Sequence, residues 1–459
     1  MPKPISFLFE NSIFLIAGAL VALVWANVDH SMGTHTYQSF VNFEFSEIFD
    51  GGHSEHATAS TAASQGSEAE GTGDHGHAFN MAFLINDILM AFFFAIAAKE
   101  VWEALLPGGP LSNFKRAATP LFATVGGILG PVAIYLTGTF LTGRWDTLGG
   151  GWAVPCATDI AFSYLIARMI FGAKHPAIAF LLLLAIADDA AGLMILALFY
   201  PQSPLEGTWL LLTVGAIATA IGMKKLGVRN FWWYLLIPGV LCWLSFFKMG
   251  IHPALGLIPI IPCLPHAKTD MGLFAKEERH RKDTLNQFEH WWKNPVEIFL
   301  GLFGLANAGV VMSNVGTGTW LVLMGLLVGK PFGITLFTWI GVKAFKLEIP
   351  GGMNYRHILT IGTIAGLGFT VALFVSTAAF PVAGPVQDSV KMGALLSFLA
   401  ALLAFIVARA VGIKRERDDD DLAPGVSPDT SSECVGAEDT IQWEPGHEDE
   451  EEVALATSD

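Results

Sequence analysis

Apolar positions along this chain form continuous stretches, and its polar residues gather between them. A helix needs about 20 residues to cross a bilayer, and each stretch is close to that length. The stretches are continuously apolar rather than alternating, which excludes a β-barrel. The pattern predicts an all-α polytopic membrane protein with twelve spans, which we number 1 to 12 in chain order: 12–27, 81–106, 118–138, 152–170, 177–200, 207–223, 231–247, 251–264, 295–312, 319–342, 357–380 and 391–411.

Composition supports this prediction. Of the 459 residues, 53% are hydrophobic and only 15% are charged, whereas a soluble protein has about a quarter of its residues charged. The net charge of −15 comes from the last 42 residues, because residues 418–459 include fifteen acids and no Lys or Arg. We expect a transmembrane domain over 1–413, followed by an acidic, disordered cytoplasmic tail over 414–459.

Basic residues predict the orientation. All but four of the 26 Lys and Arg fall on one side of the predicted spans. The exceptions are Arg144, Lys248 and Lys391 on the opposite side, and Lys330 within span 10. Because basic residues collect on the cytoplasmic side, both termini are expected there, with an even number of spans. Span 1 could instead be a cleaved signal peptide, an alternative that the charge pattern leaves open.

The segment between spans 1 and 2, residues 28–80, is predicted to be a long external loop. It has no Lys or Arg and is rich in Ser, Ala, Gly and His. Four of its histidines are candidate metal ligands, His53, His56, His75 and His77. We interpret the segment as a flexible loop because its composition does not favour a packed core.

Several ionisable or polar residues lie inside predicted spans, where a charge costs about 2.5–3.5 kcal/mol on insertion scales. They are Asp87, Thr158, Asp159, Asp188, Asp189 and Lys330. One interpretation is structural: charge pairs or snorkelling side chains that hold helices together. Lys330 lies near the middle of its span and therefore needs a partner or must be neutral.

Asp188 and Asp189 are adjacent, so on a helix they point about 100° apart. One can face a cation such as Lys330 while the other faces a water-filled path. A carboxylate in that second position can hold either a proton or a metal cation. Na⁺ favours oxygen ligands, which Asp189, Thr158 and Asp159 would supply. The spacing thus indicates an exchange site.

Spans 4 and 11 contain helix-breaking residues. Span 4 follows three glycines (149–151) and has Pro155 just before Thr158, and span 11 has Gly362, Gly366 and Gly368 near its middle. Inside a membrane, such breaks are tolerated where the backbone lines a cavity or is buried in protein. Spans 4 and 11 are the middle members of triplets 3–5 and 10–12, which would be inverted repeats around a midplane site.

Eight motifs in order resemble those of the NhaA sodium/proton antiporter family. The resemblance extends from about residue 5 to 413 and rests on WAN (25–27), INDILMAFFF (85–94), ATDIAF (157–162), AIADDAAGLMILALFY (185–200), GIHPAL (250–255), ANAGV (306–310), GKPFGI (329–334) and GLGFTVALF (366–374).

The resemblance implies an electrogenic transporter, not an enzyme, that extrudes Na⁺ and Li⁺ in exchange for external H⁺. Asp189 would be the principal Na⁺ ligand and proton carrier, and Asp188, a further Na⁺ ligand, would pair with Lys330. Thr158 and Asp159 would lie where the broken helices cross. It further implies a bacterial inner-membrane protein in the lipid bilayer, a homodimer formed through the external loop, no cofactor and no nucleic-acid partner.

A cytoplasmic pH-sensing cluster is also implied, with Glu100, Glu289 and His290 as its members and Asp87 as an accessory residue. The chain departs from the family's pattern in this region. Trp102 and Glu103 replace a basic pair, and Lys293 replaces a histidine. We therefore expect an altered pH response.

Three alternative functions fit the sequence less well than an antiporter does. An intramembrane aspartyl protease would need one aspartate on each of two facing helices in tyrosine-aspartate and Gly-x-Gly-Asp settings, which do not occur. A channel has no need of a titratable pair with a buried lysine. A sodium-coupled symporter for an organic anion would need a cationic clamp for that anion.

Overall fold

A computed structural model of the chain describes residues 13–45, 79–109, 111–112, 114–172, 175–266, 283–413 and 415. Within these residues the fold consists of helices. They are α1 (Ile13–Met32), α2 (Met81–Leu105), α3 (Phe114–Leu141), α4a (Trp145–Cys156), α4b (Ile160–Phe171), α5 (Pro176–Phe199), α6 (Gly207–Lys225), α7 (Phe231–Met249), α8 (Pro253–Cys263), α9 (Thr284–Asn307), α10 (Thr317–Phe345), α11a (Tyr355–Ala365), α11b (Phe369–Ala379) and α12 (Pro385–Ala410).

The predicted fold class is confirmed: this is an all-α, multi-pass membrane protein with two broken helices. Eight of the helices in the described residues are long and apolar enough to cross a membrane. The pairs α4a/α4b and α11a/α11b are each bent by 52° at a short break, which brings the number of candidate spans to ten. The other two predicted spans correspond to α8, a short 3₁₀-rich segment, and α9, which is less apolar. A total of twelve therefore stays a prediction.

Helix α9 shows why predicted boundaries differ from observed ones. The apolar pattern places its start near 295, but the helix begins at Thr284, after Asp283. The Asp283 carboxylate accepts a hydrogen bond from the backbone N–H of Asn286 at 2.8 Å, which caps the helix. The first turns are polar, so hydropathy alone does not include them.

Helices α3 and α10 cross closely in the centre of the protein. The contact is made by small residues, Gly126 and Gly130 on α3 and Gly329 and Gly333 on α10, where an added Cβ would collide with the opposite backbone. Small residues at a helix crossing let backbones approach within a membrane. Residues Gly325–Gly329 form a π-helical turn directly before Lys330. This crossing carries Lys330 into the protein interior.

The predicted loop over 28–80 begins later than expected. Helix α1 continues to Met32, and a short helix follows at Thr36–Val41. The Asp29 carboxylate holds this turn together, accepting hydrogen bonds from the Thr34 and Thr36 hydroxyls and from the Tyr37 backbone N–H at 2.6–3.0 Å. A polar residue near the end of the apolar stretch thus extends the ordered segment. The four loop histidines and residues 416–459 of the predicted tail lie outside the described residues.

Candidate functional site

The two helix breaks lie against each other. In α4 the break falls at residues 157–159, and in α11 it falls at 366–368. The Asp159 backbone N–H donates to the Leu367 carbonyl at 2.6 Å, and the Thr158 hydroxyl lies 3.2 Å from the Ala365 carbonyl. Gly368 permits this approach, because an added Cβ would lie 2.8 Å from the Ala157 carbonyl oxygen. The backbone groups freed by each break therefore find partners in the other, as burial in a membrane requires.

Lys330 lies beside this crossing with no solvent exposure. Its ammonium group donates to three oxygens: the Cys156 carbonyl, the Thr158 hydroxyl at 2.7 Å and the Asp188 carboxylate at 2.8 Å. An ammonium has three N–H donors and no acceptor, so this set of acceptors matches the protonated form. The neighbours of Lys330 thus stabilise a buried positive charge.

Asp188 provides the counter-charge. It is 3% exposed, and its Oδ2 atom accepts from both Lys330 Nζ and, at 2.6 Å, the Thr158 hydroxyl. A buried ion pair requires such additional hydrogen bonds to offset the loss of hydration. Asp188, Thr158 and Lys330 therefore form one closed network.

Asp159 is held differently. It precedes the first residue of α4b, and its Oδ1 atom accepts from the Phe162 backbone N–H at 3.3 Å, as an N-terminal helix cap does. Its Oδ2 atom accepts from the hydroxyl of Thr370, in the first turn of α11b. A negative charge here also offsets the partial positive charge of the helix start. Both carboxylate oxygens are engaged by the protein.

Asp189 differs from the other aspartates of the centre. It is only partly buried, and within the described part of the chain it makes no hydrogen bond or ion pair. Two small cavities of about 20 Å³ each border it, and both are also lined by Gly192, Val371 and Val375. A cavity of this volume is large enough for one water molecule. Asp188 also lines one of these cavities, but Asp189 borders both and is the aspartate of this centre that has no protein partner among the described residues.

Asp87 lies apart from these residues. It occupies a π-helical turn of α2, Leu84–Leu89, and its Oδ1 atom is 3.5 Å from His252 Nδ1. It lines a different and larger cavity of about 730 Å³, which Asp188, Asp189 and Lys330 do not line. The structure does not bring Asp87 into the Lys330 network.

The predicted pH cluster is organised by a residue that sequence analysis did not single out, Lys99. Its ammonium lies 2.5 Å from Glu103 on the same helix and 2.5 Å from Glu289 on α9. Glu289 is thus paired, whereas His290 is exposed and Glu100 makes no hydrogen bond within the described residues. Glu103 replaces a basic residue of the family's pattern, and Lys99 supplies the positive charge one turn earlier. In the sequence, the i, i+4 spacing of Lys99 and Glu103 could have indicated that these two side chains form an ion pair.

Thr370 and Gly192 were also missed. Thr370 directly follows the break of α11, and Gly192 is one turn after Asp189. Two signals in the sequence could have identified them. Thr370 lies directly after a predicted helix break, and Gly192 lies three residues after an ionisable residue inside a span.

Fold and site together define a class: a multi-pass membrane protein with two broken helices that cross beside a buried ion pair and an unpaired carboxylate. Comparison with known proteins is consistent with this class. The family model described as "Na+/H+ antiporter 1" matches residues 8–408. The chain belongs to this Na⁺/H⁺ antiporter family, whose members are transporters rather than enzymes.

Relatives are similar over almost their whole length. The Na(+)/H(+) antiporter NhaA of Jannaschia sp. (strain CCS1) is 46% identical over 440 residues, covering 90% of this chain and 98% of the relative. The antiporters of the same name from Geotalea uraniireducens (strain Rf4) and Desulfitobacterium hafniense (strain DSM 10664 / DCB-2) are 45% and 43% identical. The alignments cover 90% and 91% of this chain and 98% of each relative.

Proposed function

We propose that this chain exchanges Na⁺ for H⁺ across the membrane and that the two ions compete for the Asp189 carboxylate. One observation carries this assignment. Of two adjacent aspartates on α5, Asp188 is paired with Lys330 and Thr158 through its Oδ2 atom and borders one cavity, whereas Asp189 has no protein partner among the described residues and borders two. A carboxylate free of protein partners can bind either a proton or a cation, but not both.

Asp188, Thr158 and Asp159 complete the proposed site. Na⁺ favours oxygen ligands, and the Thr158 hydroxyl and the second Asp188 oxygen are the candidates in this network. Asp159 supports the site by capping α4b and contacting Thr370. Lys330 balances Asp188 when no metal ion is bound, and approach of Na⁺ would compete with this ion pair.

Alternating access would arise at the broken helices. Their ends are joined by a few hydrogen bonds between residues 158–163 and 364–370. Rocking one triplet of helices against the other, around a fixed site, would open the site to either side in turn. We further propose Li⁺ as a second substrate, since the expected ligands are hard oxygens.

The charge pattern supports the proposed orientation. With most Lys and Arg on one side, the positive-inside rule favours both termini in the cytoplasm, and the proposed location is the inner membrane of a bacterial cell. In that orientation the protein would expel Na⁺ using the inward flow of protons and thereby serve sodium and pH homeostasis. A homodimer through the segment after α1 remains part of the proposal, and most of that segment lies outside the described residues.

The test is proton flux in liposomes that contain the purified protein, a pH-sensitive dye and an acidic interior. Na⁺, Li⁺ and K⁺ are added in turn between pH 6 and 9, for the wild type and for Asp189→Asn. We expect Na⁺ and Li⁺ to alkalinise the interior of wild-type vesicles and to have no effect in the variant.

The matched control is Asp146→Asn, which changes an exposed aspartate near the start of α4a. It should exchange like the wild type. Unchanged turnover in Asp189→Asn would refute the assignment of the carboxylate, whereas a wild type that responds to no cation would refute exchange itself.

A further inference from the structure

A cavity of about 730 Å³ lies at one face of the protein, where α1, α5 and α11b end and α2 and α12 begin. The positive-inside pattern assigns this face to the outside. The cavity wall is mixed, and its polar or ionisable side chains include Asn86, Asp87, His252, Asn307, Asp388 and Lys391. A cation that leaves the site towards this face, or reaches it from there, would pass through the cavity.

Lys391 is the unusual member of this wall. It is 8% exposed, yet within the described residues its ammonium has no hydrogen bond or ion pair. Among the described lining residues it is the one Lys or Arg. A buried ammonium without a protein partner faces the cavity because there it keeps its contact with solvent.

Nearby carboxylates are already engaged. Asp388, one turn before Lys391 on α12, accepts from the Asn314 side-chain amide at 2.8 Å. Asp29 is engaged by Thr34, Thr36 and the Tyr37 backbone. Asp388 and Lys391 attract each other electrostatically but form no salt bridge, so the positive charge of Lys391 also acts on an ion that enters the cavity.

We propose that Lys391 weakens the binding of Na⁺ in this cavity. Asp87, Asp388 and Asp29 attract cations to this wall, and a fixed positive charge among them prevents Na⁺ from being retained. A transport path needs binding that is favourable enough for access and weak enough for release. Na⁺ delivered from the Asp189 site then departs readily, and external Na⁺ competes poorly with protons. This inference rests on the proposed function and orientation.

The test is inhibition of exchange by Na⁺ added on one side at a time. Right-side-out membrane vesicles present the cavity face to the medium, and everted vesicles present the opposite face. In Lys391→Gln we expect the concentration of external Na⁺ that halves exchange to fall by roughly threefold to tenfold, because a repulsive charge within one cavity has been removed. The corresponding concentration in everted vesicles should change less than twofold.

Two further variants separate charge from shape. Lys391→Arg keeps the positive charge and should behave like the wild type. Because Na⁺ and H⁺ compete, external inhibition should increase with pH in every variant, but between pH 6 and 8 the increase should be steeper in Lys391→His than in the wild type, since the imidazole also loses its charge. This difference in steepness tests the proposal even if Lys391→Gln does not fold. Lys248→Gln, which removes an exposed lysine on the same predicted face, is the matched control and should leave external inhibition unchanged.

Three outcomes would overturn the proposal: unchanged external inhibition in Lys391→Gln, an equal shift on both sides, or a shift in Lys391→Arg as large as in Lys391→Gln. A shift confined to everted vesicles would instead overturn the orientation and keep the role of the charge. A wild type without Na⁺-driven proton flux would refute the proposed function, and this proposal with it.

Discussion

Lys330 and Asp188 come from helices far apart in sequence and meet at 2.8 Å, Nζ to Oδ2, in a region where neither side chain is more than 2% exposed. The pair holds α10 to α5 next to the crossing of the broken helices. It also leaves Asp189 unpaired within the described residues, because Asp189 follows Asp188 by one residue and points about 100° away.

Removing Lys330 is expected to destabilise the protein strongly. Lys330→Met leaves Asp188 buried without its counter-charge, and breaking one side of a buried pair costs about 3–5 kcal/mol. Thermal unfolding in detergent should show a much lower Tm. The double variant Lys330→Met/Asp188→Asn, in which no charge is left unpaired, should recover a good part of the loss.

Lys343→Met is the control for that experiment, since it removes an exposed lysine from the same helix. Its Tm should match the wild type. If the double variant were as unstable as the sum of both single variants, the two residues would not be coupled and the assigned pair would be wrong.

Gly192 is expected to control access to Asp189. It lines both small cavities beside that carboxylate, and a Cβ at this position would meet no heavy atom within 4 Å. Gly192→Val should therefore fold but fill the space in which an ion reaches Asp189, so turnover in liposomes should fall at least tenfold with little change in Tm.

Gly215→Val on α6 provides a comparison, because this glycine is also helical, exposed and open to an added side chain. It should exchange normally. Equal turnover in the two variants would show that the cavities beside Asp189 are not part of the ion path.

The crossing of the helix breaks should be sensitive to a single methyl group. At Gly368 an added Cβ would lie 2.8 Å from the Ala157 carbonyl oxygen, so Gly368→Ala must push the two breaks apart. We expect reduced exchange and a lower Tm. Gly351→Ala, at an exposed glycine with nothing within 4 Å, should change neither, and a fully active Gly368→Ala would argue against a tight crossing.

Lys99 is expected to confer a pH-dependent stability. Its ammonium lies between Glu103 and Glu289, so Lys99→Gln leaves two carboxylates facing each other across α2 and α9. Ionised carboxylates repel and protonated ones do not, so the loss of Tm should be larger at pH 8 than at pH 5.

Lys99→Arg keeps the charge and should show the smaller, pH-independent change expected of altered geometry. A Lys99→Gln variant whose Tm differs from the wild type by the same amount at both pH values would contradict the bridging role of Lys99.

Part of this arrangement could be predicted from the sequence because membrane insertion makes certain residues conspicuous. A charge inside a span needs a partner, which connects Lys330 to the aspartate pair, and Gly or Pro inside a span marks a break. Both signals are local in the sequence. They located the all-α membrane fold, the two broken helices and the residues of the central network.

Other features depend on contacts that no local pattern encodes. The pairing of Lys99 with Glu289 spans 190 positions along the chain. Asp159 caps α4b locally through the Phe162 backbone, but its contact with the Thr370 hydroxyl arises because the two breaks cross. The start of α9 and the end of α1 were misplaced because polar caps, rather than hydropathy, set those boundaries.

In the proposed exchange, one carboxylate, that of Asp189, releases a proton when it binds Na⁺. Isothermal titration calorimetry of the detergent-purified protein with Na⁺, in buffers of different ionisation enthalpy, measures the protons released for each Na⁺ bound. We predict proton release for the wild type at the pH of half-maximal binding, and no Na⁺ binding heat for Asp189→Asn. Na⁺ binding by Asp189→Asn with the same proton release as the wild type would contradict this account.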